Sequence, residues 1–142
     1  MLRDAFESPG DQSPADLRAA YDQRLAETID TVGTETILNE TELDEKTIEA
    51  LTEGESPALT LEQATQILAM DDDLPDAESI AYEARDILLM GMSIAVLDVE
   101  ALASGINDEL EPKEIQQKIE GRYPISLDEY ALIHQYIEQR KQ

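Results

Sequence analysis

Apolar residues recur at three- and four-residue spacing along most of this chain, and the pattern predicts helices with clear starts and stops. Ser13-Pro14 opens the first, with Ser13 as N-cap and Pro14 at the first helical position. Leu17, Tyr21, Leu25, Ile29 and Val32 then form one stripe, which ends at Gly33. A short helix over about 35–40 follows. Asp44 is placed to cap a third helix, with Leu43 and Ile48 set for a hydrophobic staple and Gly54 as its stop. Thr60-x-x-Gln63 is a capping box opening a fourth, whose apolar face is Leu61, Ala64, Ile67 and Leu68.

Asp71-Asp72-Asp73-Leu74-Pro75 breaks the periodicity. Beyond it a long helix is expected over about 77–97, with Gly91 and Ser93 marking a kink or a split. Its 87–97 stretch is apolar on every face, which predicts the most buried helix of the protein. Asp98 caps a short helix that Gly105 stops. Another runs over about 111–120, with Pro112 in its first turn and Gly121 after it. Ser126-x-x-Glu129 is a second capping box, and its helix reaches about Arg140. Nothing alternates apolar and polar residues over strand length. The predicted fold class is all-α, a compact domain of about eight helices.

Features recur in the same order in both halves. Ala20-Tyr21-Asp22-Gln23-Arg24 reads like Ala81-Tyr82-Glu83-Ala84-Arg85, given about six extra residues in the second long helix. Leu43, Ile48, Gly54 and Pro57 keep the spacing of Leu110, Ile115, Gly121 and Pro124. This predicts one helical unit used twice. The expected organisation is a flexible arm over 1–12, a first repeat over 13–70, an acidic linker over 71–76 and a second repeat over 77–142, with one shared core.

Charge changes the picture of the environment. The 142 residues carry 33 Asp and Glu against 10 Lys and Arg, a formal net charge of -23. Self-repulsion of that size destabilises a compact chain in dilute buffer, and molar salt shortens the Debye length to about 3 Å and screens it. Lysine is confined to Lys46, Lys113, Lys118 and Lys141. The balance resembles that of halophilic archaeal proteins and predicts a salt-filled cytoplasm. With 42% hydrophobic residues the chain has the material for a core.

The stretch Ile37–Gly54 resembles the helix-turn-helix of phage-repressor-like proteins. In that family the second of the paired helices ends near a glycine, and a proline-containing loop leads onward. The resemblance covers about 34–70 and, more faintly, 98–136. It departs in charge: the would-be recognition helix opens Asp44-Glu45-Lys46. The whole chain also resembles a family of small acidic haloarchaeal proteins of uncharacterised function, which supplies no activity.

A recognition helix must pass two lines of phosphates. In the first half Asp44, Glu45, Glu49 and Glu53 face that task with Lys46 alone, so this half reads as scaffold or a protein-binding face. Residues 106–142 are nearer balance, with eight acids against five bases, where residues 1–105 hold 25 against five. The candidate nucleic-acid contacts are Lys113, Gln116, Gln117, Lys118 and Arg122, because Lys and Arg hold phosphates and Gln pairs with adenine. The same residues also suit an ordinary solvated face.

No catalytic, cofactor or metal site is expected. There is no cysteine, so no thiol nucleophile or thiolate ligand set. His134 is the sole histidine and reads as packed rather than ligating. The Asp71–Asp73 cluster lacks the glycine and terminal glutamate of a calcium loop. The N-terminus lacks the order of a signal peptide, and no apolar run spans a bilayer. The expected protein is cytoplasmic and non-enzymatic. It works through a protein partner or self-association, with no membrane and no evident small-molecule substrate as partner. DNA binding through 111–122 is the alternative.

Overall fold

The computed structural model describes residues 13–141. The expected arm over 1–12 lies outside them. Eight helices follow in order: α1 (Pro14–Val32), α2 (Thr34–Glu40), α3 (Glu45–Thr52), α4 (Leu61–Leu68), α5 (Ala77–Ala95), α6 (Val99–Gly105), α7 (Pro112–Ile119) and α8 (Leu127–Arg140). The described residues contain no strand, only an isolated antiparallel bridge between Thr60 and Ser126.

The caps set these boundaries. Ser13, Asp44, Thr60, Asp76, Asp98 and Ser126 each accept a hydrogen bond from the backbone N–H three residues on, satisfying donors the helix itself leaves open. Gln63 and Glu129 return a bond to the cap backbone, at 2.9 Å in both cases. Gly54 and Gly121 both end their helices at φ 82°, a left-handed turn that glycine makes without steric cost. Residues 71–76 form a turn tied by Asp71, whose Oδ1 accepts from the Asp73 N–H at 2.9 Å.

The packing interlaces the two halves. α1 packs chiefly on α8, and α5 chiefly on α4. Each long helix is thus covered by the last helix of the opposite half. The exchange begins where the segments before α4 and α8 cross: Leu61 N–H donates to the Ile125 carbonyl at 2.8 Å, and Leu127 N–H to the Leu59 carbonyl at 2.9 Å. Leu59, Leu61, Ile125 and Leu127 are all buried around this crossing. One continuous apolar cluster results, running from Leu17 to Ile137.

Two arginines fasten the exchange. Arg18 on α1 is buried and donates to Asp22 and to Asp128, the second residue of α8, both at 2.9 Å, and to the Pro57 carbonyl. Arg85 on α5 donates to Glu62, the second residue of α4, and to the Lys118 carbonyl. At the centre Tyr21 bonds Nδ1 of His134 at 3.0 Å, and Tyr130 donates to the Ala84 carbonyl at 2.8 Å. Burial holds the Tyr21 hydroxyl proton well above its ordinary range, and the charge of Glu138 adds to this.

Three expectations need correction. First, Tyr21 and Tyr82 do not occupy matching places. Tyr21 is fully buried and Tyr82 is 74% exposed. α1 and α5 are both 19 residues long, so no extra residues lie within the second. Arg18 and Arg85 are the residues with corresponding partners. Second, α5 runs unbroken through Gly91. A Cβ at Gly91 would lie 2.6 Å from Cγ2 of Ile137, so the glycine is there for close approach of α8 and not for a kink. Third, Gly105 is the last residue of α6, which Ile106 caps, and not a left-handed stop after it. A Cβ there would fall within 2.5 Å of the Tyr136 ring.

Two outcomes follow. Gly91→Ala raises helix propensity but drives a methyl into the stiff, β-branched and buried Ile137. The expected result in chemical denaturation is a loss of about 1–3 kcal/mol, recovered by adding Ile137→Leu, which removes Cγ2. Arg18→Met strands Asp22 inside the protein and is expected to cost about 3–5 kcal/mol, with most of it regained in Arg18→Met/Asp22→Leu.

Candidate functional site

α5 is apolar on more sides than its neighbours can cover. Ile80, Ala84, Leu88 and Gly91 face the core, while Tyr82, Leu89, Met90, Ile94 and Val96 face outward. Met90 and Ile94 are 56% and 60% exposed, and Val96 reaches 88%. The expectation that this helix is the most buried is therefore wrong, and the reason is geometric. α5 has α4, α8 and α7 as packing partners, and together they leave part of its circumference open. Burying one such side chain is worth about 1.5–3 kcal/mol, so several left in water form an incomplete surface.

The helix ends on a strained residue. Val96 sits at φ 56°, ψ 52°, with its N–H bonded back to the Met92 and Ser93 carbonyls. A β-branched residue in the left-handed region costs about 1–2 kcal/mol. Glycine is the residue that closes helices this way without cost. Backbone strain of this kind gathers at functional positions, and here it lies at the end of the open apolar face.

One flank of the face borders a groove of about 620 Å³. Glu62, Thr65 and Gln66 of α4 form one wall, and Ile119, Glu120 and Gly121 at the end of α7 form the other. Ala81, Tyr82, Arg85 and Leu89 of α5 supply the floor, with Glu78 and Asp86 at its edge. Arg85 is the groove's one base, and its guanidinium is already held by Glu62 and the Lys118 carbonyl. Glu62 Oε2 has no hydrogen-bond partner.

The five residues singled out for nucleic acid are not brought together as a free basic face. Lys113 is exposed at the start of α7. Gln116 is exposed and donates to Glu120 at 3.2 Å. Gln117 is half-buried. Lys118 turns inward, with its ammonium on Glu129. Arg122 is exposed but lies 3.3 Å from Glu120. The Lys118–Glu129 pair is structural, since Glu129 also caps α8. Burial pushes the Glu129 carboxyl up, but the bonds from Lys118 and Ser126 outweigh it and the net direction is down. Its contribution to stability is therefore present above the usual carboxylate range and is lost as pH falls through the lowered value.

In the first half, Asp44, Glu45 and Lys46 are exposed at the start of α3, and the Thr47 side chain and backbone hold the Asp44 carboxyl below its ordinary range. His134 is buried on α8 with Nε2 3.5 Å from Glu138.

A family model of unknown function, DUF5791, matches residues 17–140. The chain belongs to the DUF5791 family. The match spans all eight helices and so covers both interlaced halves of the DUF5791 chain. No curated protein and no solved structure matches it. No single helix among the described residues of this family member is long and apolar enough to cross a membrane. The one apolar pair, α5 with α6, is bent by 92°.

The sequence signal for the α5 face is its apolar run over 87–97. An apolar run on every side of one helix means either deep burial or a surface awaiting a partner. Val96→Gly is expected to raise stability by about 1–2 kcal/mol, by removing the left-handed strain. Thermal denaturation checks it, and a destabilised variant would show that Val96 packs where this structure leaves it open.

Proposed function

We propose that this chain is a non-enzymatic protein-interaction module with helix-turn-helix-like units, working in transcription control within a salt-filled cytoplasm. The observation that carries the reading is the open apolar face of α5, closed by a strained and 88% exposed valine. Buried cores have no use for such a face, and a docking partner does. The test places a photoreactive residue at position 89 and, as control, at exposed Glu49 on α3. Irradiation in molar KCl is expected to give one discrete heteromeric adduct from position 89 and none from position 49. Adducts confined to the chain itself, or equal from both positions, would sink the reading.

The same reading takes residues 13–70 and 77–142 as two copies of one unit. Arg18 then stands in register with Arg85, and Asp128 with Glu62. Each arginine meeting the second residue of the opposite unit's last helix supports that alignment.

The salt-filled environment rests on the net charge of -23. Because screening relieves self-repulsion, the melting temperature is expected to climb as KCl rises from 0.1 to about 2 M. A chain most stable in dilute buffer would contradict this.

DNA binding through α7 is the weaker alternative. Of the three bases in residues 111–122, Lys118 and Arg122 already hold carboxylates, and molar salt removes the counterion-release drive. Lys113 is the base on this helix that remains open to solvent.

A further inference from the structure

We propose that the segment docking along α5 is a basic amphipathic helix, with apolar side chains on the Tyr82–Leu89 floor and Lys or Arg against the acidic rim. The inference rests on the interaction reading above and names the chemistry of the partner.

Charge decides the sign. Four carboxylates line the groove, from Glu62, Glu78, Asp86 and Glu120. Among the described residues Glu78 and Asp86 have no ion-pair partner, whereas Glu62 Oε2 is buried and Glu120 lies 3.3 Å from Arg122. The one base, Arg85, is spent on Glu62 and the Lys118 carbonyl. An incoming cation therefore meets unpaired carboxylates, whereas an acidic segment meets only repulsion. A second copy of this chain would set Glu78 and Asp86 against a further net charge of -23.

Shape decides the conformation. The described residues offer no strand edge to which an extended peptide adds, so main-chain pairing is not available. A groove between helices with an apolar floor takes a helix, anchored at i, i+3 or i+4, and i+7. From Ala77 to Leu89 the α5 lining of the groove runs about 18 Å at the helical rise, which matches three to four turns of a docked helix.

The experiment uses the full chain and three labelled helical peptides with identical apolar spacing, flanked by Lys, by Glu or by Ser. Fluorescence anisotropy is read in 0.5 M and 2 M KCl, with helicity of the protein checked at both. The Lys peptide is expected to bind tightest, with the margin over the Glu peptide larger in 0.5 M than in 2 M salt. Glu78→Gln/Asp86→Asn should weaken the Lys peptide about three- to tenfold. Leu89→Asp should abolish binding although it adds an attractive charge, because it removes the apolar anchor. Glu49→Gln on α3 should change nothing. Three results would each overturn the proposal: equal or tighter binding of the Glu peptide, binding of the Lys peptide untouched by Leu89→Asp, or no peptide binding. A homodimer in sedimentation that Leu89→Asp dissociates would also overturn it. If the adduct from position 89 persists through such a failure, the interaction reading stands and only the partner's chemistry falls. If the adduct is missing too, both fall.

Discussion

The fold depends on one crossing. Two short backbone segments meet between Leu59 and Leu61 and between Ile125 and Leu127, and each gives the other a hydrogen bond. At that point both segments turn from extended backbone into helices, and each helix leaves toward the other half. Everything else serves this exchange. The capping boxes at Thr60 and Ser126 start α4 and α8 at the crossing itself. Arg18 and Arg85 then hold the first turn of each exchanged helix against its adopted partner. A buried arginine is costly unless all its donors are used, and Arg18 directs its guanidinium to Asp22, Asp128 and the Pro57 carbonyl at once.

Five helix starts were legible in the sequence to the residue. Caps are written in side chains adjacent to the turn they make, so Ser13, Asp44, Thr60, Asp98 and Ser126 announce their helices without reference to anything distant. What the sequence concealed is what depends on partners far along the chain. The likeness of Tyr21-x-x-Arg24 to Tyr82-x-x-Arg85 is real as spelling. Yet Tyr21 finds His134 and Tyr130 across α8, while nothing covers Tyr82. Gly91 and Gly105 carry the same lesson. A glycine read locally is a break or a stop, and only the approach of Ile137 and Tyr136 turns it into a space.

The candidate site was missed in the same way. Periodicity tells which helices own apolar surface, but not how many neighbours arrive to cover it. Lys118 is the complementary case. It looked like a free cation on a solvated face, and Glu129 takes it inward. One of the five bases of residues 106–142 is thus spent on holding α7 to α8.

The interlacing sets an order on the birth of the protein. α1 emerges from the ribosome early, but α8, its chief cover, follows the other seven described helices, and Arg18 waits 110 residues for Asp128. Until then α2, α3 and α4 cover only part of the stripe from Leu17 to Ile29.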